Sequence, residues 1–263
     1  MAAVERKDSR ENEGFVRCPE EYPQGGRSER NGFYLTDRER KEVTAMSVRI
    51  EVWGENACFT RPEMKAERVS YDIITPSAAR GILESVYWHP GMQWHIDKIH
   101  VLSPIRFSNI RRNEVKSKIK AASVLSAING NGKELWLATS EEIQQRASMI
   151  LTDVHYVVEA HFTITEKAAP GDNAGKFQSI VKRRLEKGQC YSQPYLGTRE
   201  FPARFRLYEP SSIPVEPTLM GEKDLGYMLY DMDYSDPQNI TPLFFRAVLH
   251  NGTLDLTDCE VLR

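Results

Sequence analysis

Chemistry in this 263-residue chain has to come from scattered side chains rather than from a signature. No GxxxxGK[ST], GxGxxG, HExxH or GxSxG occurs. Nucleotide hydrolysis, dinucleotide redox chemistry, zincin proteolysis and α/β-hydrolase chemistry therefore lack their usual residues. His155 and His161 stand six apart in an alternating segment, about 20 Å along an extended strand and too far to share a metal ion. What remains is cationic and aromatic. Arg106, Arg111, Arg112, Lys116, Lys118 and Lys120 meet a single glutamate within 106–120. Lys176, Lys182, Arg183, Arg184 and Lys187 meet one within 176–187. With Trp53, Tyr71, Tyr87, Trp88, Tyr191 and Tyr195 interleaved, this set suits single-stranded RNA, where cations hold phosphates and aromatic faces stack unpaired bases. RNA also opens a metal-free reaction, because its 2′-hydroxyl is an internal nucleophile. A protein need only align that hydroxyl, help remove its proton and stabilise charge on a phosphorane-like transition state. A tyrosine, a lysine and a histidine can supply those functions.

The elements that must position these residues are legible in the hydrophobic periodicity. Ser47–Gly54 alternates Val48, Ile50 and Val52 against Arg49 and Glu51, which predicts a half-buried strand. Thr75-Pro76 has the form of an N-cap and first helical residue, and Ala79, Ile82, Leu83 and Val86 then follow a 3.6-residue period up to His89-Pro90. Trp94–Phe107 reads as a second strand, and Val154–Thr165 as a clear alternating one. Short apolar pieces at 135–138 and 148–151 flank a polar stretch. Asn173 caps a helix over 174–187 that Gly188 stops, and Glu200–Tyr208 is a further strand. The order strand, helix, strand, basic insertion, strand, helix, strand is the β-α-β-β-α-β order of an α+β, ferredoxin-like (RRM-like) domain. Leu225–Asp231, Pro242–His250 and an Asn251-Gly252 turn into Leu254–Leu256 predict a small C-terminal antiparallel β-sheet. The domain boundaries that follow are 1–45, 46–208 with the basic insertion at 106–135, and 209–263.

Composition bounds the reading. Hydrophobic residues are 40% and charged residues 27% of the chain, as in ordinary globular proteins, and no apolar run reaches membrane-spanning length. Cys18, Cys58, Cys190 and Cys259 form no CxxC pair, which argues against a disulfide framework or cysteine zinc site and for a reducing cytoplasmic setting. Residues 1–45 carry 10 acidic and 9 basic residues with few large apolar ones, so a disordered extension is expected there, either an appended tail or an arm that folds on a partner. The net charge of −2 does not exclude a nucleic-acid partner, because the basic clusters are offset by seven acidic residues within 209–236. Each charged run taken alone reads as a solvated face.

Four ordered blocks carry a resemblance: SYDIITPSAARGILESVYWHP, KIHVLSPIRFSNIRRNEVKSKI, LTDVHYVVEAHF and GKFQSIVKRRLEKGQCYSQPYLGTREF. In that order they resemble the Cas family-five protein of type I-C CRISPR systems, from about Val48 to the C-terminus. The resemblance implies a ferredoxin-like domain with a small C-terminal sheet. It also implies cleavage of precursor CRISPR RNA at the base of the repeat hairpin, with no metal or other cofactor. The 5′ handle would then be held within an interference complex made with other type I-C subunits. The family's catalytic tyrosine lies in an ES-[IV]-YW segment, matched by Glu84-Ser85-Val86-Tyr87-Trp88, and so points to Tyr87. Its adjacent lysine and histidine lie in a GKH segment that here reads Gly175-Lys176-Phe177. Lys176 matches. Phe177 replaces the histidine, and loss of a general acid or base commonly costs about 10²–10⁴ in rate. His89, His155 and His161 are the candidates to substitute for it.

Periodicity by itself makes Tyr87 a core residue, since it follows Leu83 by one helical turn. Lys176, near a helix N-terminus, would oppose the helix dipole unless an anion binds there. RNA supplies such an anion. Arg106, Arg111, Arg112, Lys116 and Lys118 then read as a basic grip, extended by Lys182, Arg183, Arg184 and Arg199. The alternative reading is a structural subunit of weak activity that binds the 5′ handle and nucleates the complex. A DNA nuclease fits poorly, since it would need Mg²⁺ and would not distinguish ribose from deoxyribose.

Overall fold

The computed structural model describes residues 47–64, 66–130 and 135–263. The extension expected over 1–45 lies outside them. Alternating residues build β1 (Val48–Ala57), whose neighbours are β5 (Ile143–Ile164) on one side and β6 (Arg204–Leu207) on the other, both antiparallel. β3 (Met92–Val101) pairs with the other edge of β5. The order β6-β1-β5-β3 makes two βαβ crossovers, one through α1 (Pro76–Val86) and one through α3 (Ala174–Glu186). This is the ferredoxin-like arrangement that the element order predicts.

Both helices start where the sequence places a cap. Thr75 Oγ1 accepts from the Ala78 amide at 3.3 Å, and Asn173 Oδ1 accepts from the Lys176 amide at 2.9 Å. Ala79, Ile82, Leu83 and Val86 of α1 join Phe177, Val181 and Leu185 of α3 in one buried cluster with Ile50, Val52, Tyr156, Val158 and Phe162 of the sheet. The opposite face of the sheet is polar, and its charges pair with one another. Glu51 accepts from Arg206 and lies 2.7 Å from His155 Nε2, Arg49 holds Glu159 at 2.8 Å, and Lys98 holds Asp255 at 2.6 Å. His161 contacts Asp97 at 2.8 Å and stacks on His95.

Two stretches depart from the sequence reading. The strand expected over 94–107 ends at Val101, and β4 (Phe107–Val115) begins after a break that contains Pro104, which has no amide hydrogen to donate. β4 continues along the same edge of β5, pairing with Ile143–Leu151. β5 is thus one 22-residue strand where the sequence suggested separate apolar pieces. Polar Gln144, Gln145 and Arg146 are held by ladder bonds to β4 rather than by an apolar face. The basic insertion is therefore a β-ribbon. It is followed by α2 (Ala121–Ile128), none of whose residues is buried. The short β2 (Arg68–Val69) pairs with β5 in parallel.

The C-terminal segment forms β7 (Glu222–Asp233), β8 (Thr241–His250) and β9 (Thr253–Asp255). Asn251 and Gly252, at φ of 52° and 74°, make the left-handed hairpin turn that Asn-Gly favours. β9 pairs with β3, so this antiparallel sheet continues the main one. Arg80 of α1 ties β7 down by pairing with Asp231. Among the described residues, no helix is long and apolar enough to cross a membrane.

Candidate active site

The C-terminal end of α1 and the N-terminal end of α3 meet over the sheet, and this brings Tyr87 and Lys176 together. Tyr87 ends α1 in an extended conformation, and its carbonyl accepts from Trp94 Nε1 at 3.0 Å. Its ring lies 6.1 Å from that of Phe177 and beneath the Arg184 guanidinium, 5.0 Å from the ring centroid. Arg184 is fixed there by donating to the Val86 carbonyl at 2.6 Å. The side chain is mostly buried, at 9% exposure. Burial pushes the phenol above its ordinary value, against the opposing pull of Lys176 and Arg184. Tyr87 therefore keeps its proton at neutral pH and can donate it to a hydrogen bond.

Lys176 is exposed on the first turn of α3, with Nζ 2.7 Å from Asp172 Oδ1. That hydrogen bond raises the Lys176 pKa and lowers the Asp172 pKa, with the Ala169 amide, 2.9 Å from Oδ2, contributing to the latter. The side chain of Asp172 is only 4% exposed, whereas that of Lys176 is 51% exposed, so the ammonium is the member of the pair that solvent reaches. Lys176 is thus a fixed positive charge beside the helix N-terminus, suited to a phosphate oxygen.

Phe177 turns the other way. It is 0% exposed, packed against Phe162 at 6.3 Å, Tyr87 at 6.1 Å and His89 at 5.0 Å between ring centroids. On the first turn of α3, adjacent residues point about 100° apart, so Lys176 faces out while its neighbour faces the core. Of the three histidines that could stand in for the missing one, His89 is at this site. His155 and His161 are on the polar face of the sheet, engaged with Glu51 and Asp97. Asp172 escaped the sequence reading, although its spacing four residues before Lys176 is that of a helical ion pair.

The cations expected to grip RNA fall on separate elements. Lys182 and Arg183 are exposed on α3, whereas Arg184 is turned inward onto Tyr87. Arg106, just before β4, and Arg111, Lys116, Lys118 and Lys120, on and after it, are exposed, with Lys116 within 3.9 Å of Glu142. Arg112 is partly buried, paired with Glu200 and set over the Phe201 ring. Arg199, beside that glutamate, is exposed. Among the aromatics, Tyr71 is a core residue and Trp53 lies on the polar sheet face under Arg206. Trp88 and Tyr191 are exposed, and the Tyr191 amide donates to the Ser85 carbonyl at 2.8 Å, which places it at the end of α1. Two exposed aromatic side chains thus stand at the C-terminal end of α1, where Tyr87 lies.

Comparison with known proteins identifies the family of the chain. Residues 47–257 match a family model described as CRISPR-associated protein (Cas_Cas5). The chain is 48% identical over 216 residues to the CRISPR pre-crRNA endoribonuclease Cas5d of Mannheimia succiniciproducens, covering 81% of this chain and 95% of that one. It is 37% identical over 226 residues to the protein of the same name from Thermus thermophilus, covering 80% and 90%. A crystal structure of a CRISPR-associated protein shares the fold at a TM-score of 0.59 and 21% identity, covering 82% of this chain and 96% of that one. A functionally uncharacterized protein from Streptococcus mutans does so at 0.58 and 22%, covering 82% and 97%. The chain belongs to the Cas5d family of CRISPR-associated proteins.

Proposed function

We propose that the chain is an endoribonuclease that cuts precursor CRISPR RNA at the repeat hairpin without a metal ion, and then holds the 5′ handle as a subunit of an interference complex. The observation that carries this reading is the meeting of Tyr87 and Lys176. They come from segments almost ninety residues apart in the sequence, and the Tyr87 ring packs 6.1 Å from that of Phe177, the immediate neighbour of Lys176. In the reaction, the ribose 2′-oxygen bonds to phosphorus as the bond to the 5′-oxygen breaks. The products carry a 2′,3′-cyclic phosphate and a 5′-hydroxyl. The 2′-proton is lost to solvent and the leaving oxygen takes one up, so the step is a balanced transesterification. Tyr87, a phenol that keeps its proton, orients the reacting phosphate or sugar by donating to it. Lys176, a permanent ammonium held by Asp172, offsets the charge that builds on the phosphoryl oxygens. Trp88 and Tyr191 offer faces on which unpaired bases stack. Lys182 and Arg183 extend the phosphate track along α3.

The Phe177 departure favours the second reading, a handle-binding subunit of weak activity. The two separate on Lys176→Ala with labelled repeat RNA. As a nuclease, the variant loses cleavage while still binding RNA. As a scaffold, parent and variant alike bind and neither cuts.

A further inference from the structure

We infer that His89 replaces the family histidine lost at Phe177, donating a hydrogen bond from Nε2 to the phosphate at the cleavage site; this rests on the nuclease reading above. His89 opens the tight turn His89-Pro90-Gly91 between α1 and β3, two residues beyond Tyr87. The turn is pinned to the far end of β5, because Thr165 donates from its hydroxyl to the Pro90 carbonyl at 2.7 Å and from its amide to the Gly91 carbonyl at 3.0 Å. Gly91 is needed for this close approach, since a Cβ there would lie 2.7 Å from the Ala168 Cα.

Two contacts set the chemistry of the ring. The Gly91 amide donates to Nδ1 at 3.0 Å, so in the neutral imidazole the proton resides on Nε2. Nε2 lies 3.8 Å from Asp172 Oδ2, beyond hydrogen-bond distance, on the carboxylate whose other oxygen holds Lys176 Nζ. The side chain of His89 is 33% exposed. The imidazole thus presents an N–H donor beside the Lys176 ammonium, both lying near the Asp172 carboxylate. Phe177 supports the ring from below at 5.0 Å. The inward-facing Phe177 therefore serves as the platform, and the imidazole faces solvent one element away. Fixed donors aimed at developing charge act in the transition state without reorganising.

The test is single-turnover cleavage of labelled repeat-hairpin RNA in excess EDTA, with RNA binding measured in parallel, for the parent chain, His89→Phe and His89→Gln. His89→Phe keeps a ring on Phe177 and removes the donor. Its cleavage is expected to fall by about 10²–10³-fold, as for loss of one preorganised donor. His89→Gln keeps an N–H and should stay within about tenfold of the parent. Both should bind RNA within about threefold of the parent, since a donor used only in the transition state adds little to ground-state binding. Should His89→Phe melt early, His89→Ala carries the same expectation. Parental cleavage by His89→Phe, or His89→Gln as slow as His89→Phe, overturns the inference and leaves the nuclease reading standing. Absence of cleavage by the parent overturns both.

Discussion

Placing at position 177 the histidine that the resemblance implies is expected to harm this protein rather than improve it. The Phe177 ring is fully buried, with three aromatic neighbours at 5.0, 6.1 and 6.3 Å. Phe177→His puts two ring nitrogens into that cluster. An unsatisfied buried polar group costs about 1–3 kcal/mol, and weakening the ring contacts adds about 0.5–1.5 kcal/mol. The sum, about 1.5–4.5 kcal/mol, corresponds to a melting temperature lower by roughly 3–18 °C for a chain of this size. Differential scanning calorimetry of the two proteins at pH 7.5 reads the shift directly, and single-turnover cleavage of repeat RNA reads the activity. Cleavage by the folded variant should not exceed that of the parent. An unchanged melting temperature with cleavage raised about tenfold or more would refute the reasoning, since it would mean that position 177 reaches the phosphate.

Three other outcomes follow from the geometry. Tyr87→Phe keeps the packed ring and removes only the donor, so it should slow cleavage by about 10²-fold with melting temperature and RNA affinity unchanged, as judged by calorimetry and filter binding. Lys182→Ala with Arg183→Ala should weaken RNA binding and flatten the plot of log K against log salt by about 0.7 per lost phosphate contact, measured by fluorescence anisotropy from 50 to 300 mM salt (roughly the range over which such slopes are read). Glu51 is buried, and its pKa is lowered chiefly by the hydrogen bond from Arg206 and also by that from His155, against the effect of burial. A depressed carboxyl contributes stability that is fully present above its unfolded pKa, about 4.3, and is lost as pH falls through the lower folded value. Glu51→Gln should therefore destabilise the protein by about 1.5–3 kcal/mol at pH 7, and the gap from the parent should close below about pH 4, as read by urea denaturation across pH.

Much of the scaffold was legible because it is written in local patterns. Thr75-Pro76, Asn173 and Asn251-Gly252 are caps and a turn whose chemistry works over three or four residues, and each stands where the sequence put it. The ends of β3 and β5 were harder to read. Pro104 divides what looks like one apolar run, and the polar first third of β5 is a strand only because β4 lies beside it. Such pairing is tertiary and leaves no period in the sequence. At the site, Tyr87 and Lys176 came from the resemblance, while periodicity alone made one a core residue and the other a solvated lysine. Both descriptions hold in part, since Tyr87 is buried and Lys176 is exposed. Their meeting depends on how α1 and α3 cross the sheet. For the same reason the sequence could name His89, His155 and His161 but not choose among them. What brings His89 to the site is a three-residue turn pinned to the end of β5, which no local pattern announces.

Incubation of the purified chain in excess EDTA with labelled repeat-hairpin RNA, beside the same RNA carrying a single 2′-deoxy group at the cut site, tests the central claim most directly. The account predicts cleavage of the all-RNA substrate alone, with a 2′,3′-cyclic phosphate on the upstream fragment. Tight binding of both substrates with neither cut would contradict it, as would cutting of the 2′-deoxy substrate.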